Sequence, residues 1–184
     1  MQKIIDLIIF FVMILSGNIF AKDDGVFNPN IIRFSVTATG KTGLGWLKRF
    51  EFKGIKIGEY AKKFLLSDDF QYTGKTYQVA VIKSRHFDNP STIEDILEEG
   101  KSRNMVEANA EVACLIRDKF TDEEIRAMGL NYIITMHQKI GDCYDPRRFS
   151  TISKDGHLWL EAHDAEPDGS WLSQNVGLAF IVSE

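Results

Sequence analysis

The segment Gly156-His157-Leu158-Trp159-Leu160-Glu161-Ala162-His163-Asp164 is the strongest local oddity in this sequence. On a strand, side chains alternate between faces. His157, Trp159, Glu161 and His163 then share one face, and Leu158, Leu160 and Ala162 take the other. Alternate residues on a face lie ~6.5–7 Å apart. Glu161 and His163 could therefore serve one metal, with carboxylate oxygen and imidazole nitrogen ~2.0–2.2 Å from zinc. His157 lies about 20 Å from His163 along a straight strand, too far to join them, so a third ligand would have to come from His137 or an aspartate. Two ligands without further spacing logic do not define a metal centre. The preferred reading is an amphipathic strand with a polar outer face.

Asp164-Ala-Glu166-Pro-Asp168-Gly169 places acidic residues first, third and fifth ahead of a glycine, as at the start of a calcium loop. Pro167 stiffens the segment, and Asn175 stands where the loop needs a bidentate glutamate. An acidic hairpin loop with Pro-Asp-Gly turn chemistry is the expectation, and neither zinc nor calcium is expected as a resident cofactor. Trp159 and Trp171 flank this loop. Aromatics beside polar groups serve as binding anchors, although tryptophan is more often a core residue. Trp159, Glu161, His163, Asp164 and Trp171 form the candidate binding set.

Cys143 paired with His157 or His163 would be a thiol nucleophile with its base. It follows a predicted strand, however, and not a helix N-terminus that would lower its pKa. The other cysteine is Cys114. A Cys114–Cys143 disulfide would close a loop of about 30 residues and contribute ~3.5 kcal/mol on the loop-entropy model. No Gly-x-Ser-x-Gly elbow occurs, and Gly40-Lys41-Thr42 lacks the earlier glycine of a phosphate loop.

The compartment decides the disulfide. Lys3 precedes nine uninterrupted apolar residues, Leu7 to Leu15. Ser16-Gly17-Asn18 breaks the run, and Ala21 offers a small residue to a signal peptidase. Residues 1–21 are expected to be a cleaved signal peptide rather than an anchor, which needs ~20 apolar residues. Export to the periplasm or beyond follows, and disulfides persist there. The remaining 163 residues carry 21 basic and 25 acidic groups, a net of −4. That balance lacks the footprint of nucleic-acid binding and offers no reason to adhere to an anionic membrane.

The elements that must position these residues follow from periodicity. Residues 22–30 read as a loose lead, and 31–184 as a single domain. Ile32, Phe34, Val36 and Ala38 alternate with polar residues as a strand. Leu44 to Lys53 reads as a second strand carrying Phe50 and Phe52, with a bulge at Gly54. Residues 58–70 fit a short helix or a strand, and Tyr72 to Thr76 a hairpin turn. Tyr77 to Ile82 is β-branched and inner. Ser91 and Glu94 have capping-box spacing for a helix that bends at Gly100 and resumes with Met105, Ala108, Val112, Leu115 and Ile116. Cys114 falls on the far side of that stripe, within reach of another segment. Thr121 and Glu124 form a second capping box before a helix that Gly129 ends. Asn131 to Ile140 is a strand. Phe149–Ser153 and His157–His163 flank an Asp-Gly hairpin turn. Val176 to Val182, apolar at both parities, belongs in the middle of a sheet.

This order predicts an α+β domain: a twisted, mainly antiparallel sheet with two or three helices packed on one face. The functional expectation is an exported, non-enzymatic binding protein of the inhibitor, immunity or envelope-accessory kind, partnered by another envelope protein or a small ligand. A metal-dependent hydrolase or metal-binding protein centred on Glu161 and His163 is the alternative.

Overall fold

A computed structural model describes residues 28–87, 92–137, 146–154, 157–164 and 175–183. The expected signal peptide and Lys22 to Phe27 lie outside these. The chain runs β1 (Ile31–Thr37), α1 (Gly43–Phe52), β2 (Lys56–Ile57), α2 (Glu59–Leu65), β3 (Thr76–Lys83), a 3-10 turn (Ser84–His86) and α3 (Ile93–Ser102). Then follow β4 (Met105–Val106), α4 (Ala110–Lys119), α5 (Asp122–Ala127), β5 (Tyr132–Met136), β6 (Pro146–Lys154), β7 (His157–Asp164) and β8 (Val176–Val182). The strands form one open, twisted sheet in the order β1-β3-β8-β5-β6-β7-β2, with β4 beside β8. Its pairings are antiparallel apart from β5–β8 and β2–β7. The fold is α+β, as expected, but the five helices among the described residues pack on both faces of the sheet rather than two or three on one.

Alternation along each strand sorts the core into two layers. Phe34, Val36, Val79, Val81, Ile133 and Leu160 lie on one face, beneath α1, α2, α4 and α5. Ala80, Ile82, Ile134, Leu178 and Phe180 lie on the other, where Ile93 and Ile96 of α3 cover them. One helix thus gives the second face its own core. Gly100 allows that approach, because a Cβ there would stand 2.8 Å from the Phe180 ring. Among the described residues no helix is long and apolar enough to cross a membrane.

Several strands stand where the sequence puts them. β3 lies inside the sheet, between β1 and β8. β6 and β7 pair from Lys154–His157 onward across the two-residue link. β8 is bonded on both sides, to β3 and to β5 and β4.

Leu44 to Lys53 is a correction: it is helix, not strand. The Thr42 side chain caps it by accepting from Gly45 N at 3.2 Å, and Trp46 and Phe50, one turn apart, are buried. The alternation of Phe50 and Phe52 is incidental, since Phe52 points to solvent. Gly54 is not a bulge. With φ 68° it closes α1 through Gly54 N→Glu51 O at 3.0 Å and Ile55 N→Phe50 O at 2.8 Å, the paired bonds of a Schellman end. Residues 59–65 resolve as helix, and Tyr72 to Thr76 connects α2 to β3 rather than turning a hairpin.

The cap of α3 lies one residue later than expected. Thr92 N donates to Asp95 Oδ2 at 2.8 Å, and Asp95 N donates to Thr92 Oγ1 at 3.2 Å. Met105 is not helical. Asn104, with φ 56°, turns the chain, and Met105 begins β4. Thr121 and Glu124 make the expected box for α5.

Cys114 is also corrected. It has no accessible side of α4 to occupy, because Ala110 to Arg117 are all buried. It is a free, buried thiol. The expected bridge is not formed in this structure, and Cys143 lies outside the described residues.

Gly43, the first residue of α1, packs on the last turn of α2, where a Cβ would stand 1.5 Å from the Leu65 carbonyl oxygen. Overpacking of this kind costs ~1–3 kcal/mol or more. Gly43→Ala is expected to lower the urea midpoint with an unchanged slope, and an unchanged midpoint would disprove the close approach.

Candidate functional site

β7 presents the candidate residues as its alternation requires. Leu160 and Ala162 enter the first core. On the opposite face His157 is exposed, while Trp159 and Glu161 are half-buried. The short strand β2 runs parallel to β7, with Lys56 level with Trp159 and Ile57 with Leu160. Lys56 Nζ lies 5.5 Å from the Trp159 ring centroid, within cation–π range. Gly58 N donates to Leu160 O at 2.9 Å, and a Cβ on Gly58 would lie 3.4 Å from Glu161 Cγ. Glu161 thus lies close to the backbone of the β2–α2 junction. The result is an aromatic ring, an ammonium and a carboxylate together on the sheet at its β7–β2 end.

In the backbone register of β7 His163 stands level with Arg148, and Asp164 with Pro146. Glu166, Asp168, Trp171 and Cys143 lie outside the described residues. His137 does not belong with this group. Register carries Ile134 across Ser150 to Glu161, and Ile133 across Thr151 to Leu160. His137 has the parity of Ile133 and is buried against Phe64, with ring centroids 6.1 Å apart and 16° between planes. It lies on the opposite side of the sheet from Glu161, so it is excluded as the third metal ligand. Among the described residues no group of three or more His, Cys, Asp or Glu is placed to hold a metal.

A second polar cluster was not legible in the sequence. Asn109 caps α4 by accepting from Val112 N at 3.1 Å, and Glu111 sits in the first turn, fully buried. Glu111 Oε2 accepts from Thr73 N at 2.9 Å, Thr73 Oγ1 at 3.2 Å and the Tyr77 hydroxyl at 3.3 Å. Asn109 Nδ2 donates to the same tyrosine oxygen at 3.0 Å. Glu111 Oε1 is buried and makes no hydrogen bond among the described residues. The carboxylate therefore holds the loop before β3 onto the start of α4. Burial raises its pKa above the ordinary 4.5, against the lowering effect of the Thr73 and Tyr77 hydrogen bonds. The available signal was a glutamate two residues after a capping asparagine, which pattern alone assigns to solvent.

Two further sets of ionic contacts tie the scaffold together. Arg117 and Asp122 form a buried pair at 2.8 Å. Arg49 and Lys53 reach Asp118 at 2.9 and 2.6 Å, tying α1 to α4. Burial raises the Asp118 pKa, but these two partners bring it below its ordinary value. Burial first, then the charges of Glu111 and Asp118, push the Cys114 thiol well above its ordinary range. That excludes Cys114 as a resting thiolate nucleophile.

No protein-family model, curated protein or solved structure matches this chain.

Two predictions follow from the buried groups. A carboxyl whose pKa is raised by folding binds its proton more tightly in the folded state. Its contribution to stability is greatest below 4.5 and falls as pH rises through the folded-state value. Relative to Glu111→Gln, the wild type is expected to lose unfolding free energy over that rise, and a flat or opposite difference would refute the assignment. Iodoacetamide is expected to leave Cys114 unmodified in the folded protein and to alkylate it in denaturant without reductant. Protection that persists in denaturant until reductant is added would instead reveal a bridge.

Proposed function

We propose that this chain is an exported binding protein without catalytic activity, working in the periplasm or outside the cell on an envelope protein or a small ligand. The observation that carries this reading is the meeting of Lys56, Trp159 and Glu161 at the β7–β2 end of the sheet. Tryptophan supplies rigid contact area, and the ammonium and carboxylate give polarity and orientation to whatever docks there. Three of the groups with shifted ionisation, Glu111, Asp118 and Cys114, support the same reading. Glu111 and Asp118 are engaged with scaffold partners, and the Cys114 thiol is buried. Export rests on the order of charge, apolar run and small residue in positions 1–21.

The test places a photo-crosslinking amino acid at position 159, and at Glu123 on α5 as control, in cells that export the protein. A discrete adduct at 159 and none at 123, on a mature chain beginning at Lys22, is the expected result. Equal labelling at both positions would defeat the binding reading. Stoichiometric divalent metal in protein purified without chelator, lost in Glu161→Gln, would replace it with the metal-centred alternative.

A further inference from the structure

The net charge of −4 conceals a strong segregation. Residues 41–63 carry seven basic and two acidic side chains, whereas the rest of the chain carries 15 and 24. The fold gathers that basic stretch into one unit, α1-β2-α2. Its helices meet where Gly43 at the start of α1 packs on Leu65 at the end of α2, and their inner faces bury Trp46, Phe50, Ala61 and Phe64. Their outer faces are not simply polar. Leu44 and Leu66, the sequence neighbours of the Gly43–Leu65 contact, are 53% and 54% exposed. At the other ends of the helices, flanking β2, Phe52 is 86% exposed and Tyr60 59%. Lys48, Lys62 and Lys63 stand exposed among them, while Lys53 is held by Asp118 and Lys56 lies over the Trp159 ring.

We propose that this helix pair docks on the surface of a bilayer containing anionic phospholipid. The chemistry is that of an interfacial element: aromatic and leucine side chains enter the headgroup boundary while lysines meet the negative lipid charge. The arrangement favours a lipid surface over an acidic protein. Protein interfaces concentrate apolar side chains in a central core and are depleted in lysine. Here apolar side chains stand at both ends of the pair with lysines between them. This surface borders the Trp159 face through β2, and the variants below leave Lys56, Trp159 and Glu161 unchanged, so the two readings are tested separately.

The experiment is flotation of the full chain with phosphatidylcholine vesicles and with vesicles of phosphatidylcholine and phosphatidylglycerol in equal parts. The apolar N-terminal segment contributes to both, so the ratio between them is the readout. A preference for the anionic vesicles of at least tenfold is expected. Each lysine near such a surface is worth about fivefold, so Lys48→Glu/Lys62→Glu/Lys63→Glu should abolish the preference. Phe52→Ser, at a solvent-exposed position, should weaken anionic binding about tenfold without lowering the melting temperature. Arg85→Glu/Lys101→Glu/Arg126→Glu, with the same charge change elsewhere, should retain it. Equal partition onto both vesicles, equal loss in the two triple variants, or retention of polyglutamate without retention of anionic vesicles would overturn the proposal.

Discussion

β8 is the last strand in the sequence, yet its backbone bonds to β3 along one edge and to β5 and β4 along the other. Val176 to Phe180 are buried, sending Ala179 into one core layer and Val176, Leu178 and Phe180 into the other. Gly177 marks how tightly it is held, since a Cβ there would stand 2.6 Å from Val81 and 2.8 Å from Leu130. Neither core layer is complete until this strand is inserted. Such long-range pairing carries a loop-closure entropy cost.

The two faces of the sheet carry different burdens. The first is roofed by four helices, and α4 among them is buried from Ala110 to Arg117. A helix in that position cannot turn its polar groups to water, so each needs a partner. Arg117 finds Asp122, and Glu111 finds Thr73 and Tyr77. The second face is covered by α3 over β3, β8 and β5. Beyond it, β6, β7 and β2 place Ser150, Trp159, Glu161 and Lys56 on that side. The proposed ligand face and the apolar layer are thus one continuous sheet surface with a change of composition along it.

Charge is organised as unevenly as polarity. Lys53 and Arg49 are drawn to Asp118 on α4, and this anchors α1 to the core while the rest of the basic stretch faces outward. Composition averaged over the chain describes neither side of that division.

The sequence by itself determined the features set by local periodicity and capping. Alternation marked β1 and β7, the Asp-Gly link joined β6 to β7, and a two-sided apolar run identified β8 as central. Thr121 and Glu124 announced α5. These are short-range preferences of backbone and side chain, legible wherever they are read. Tertiary structure decided what depends on which element covers which face. The sequence pattern of α1 fitted a strand until Trp46 and Phe50 packed against α2 and the sheet. Cys114 lies opposite an apolar stripe on paper and is buried on all sides of α4 in the fold. His137 and Glu161 are equally plausible ligands in sequence, but strand register sends them to opposite sides of the sheet. Periodicity specifies that a side chain has a face; only packing between distant segments specifies what that face meets.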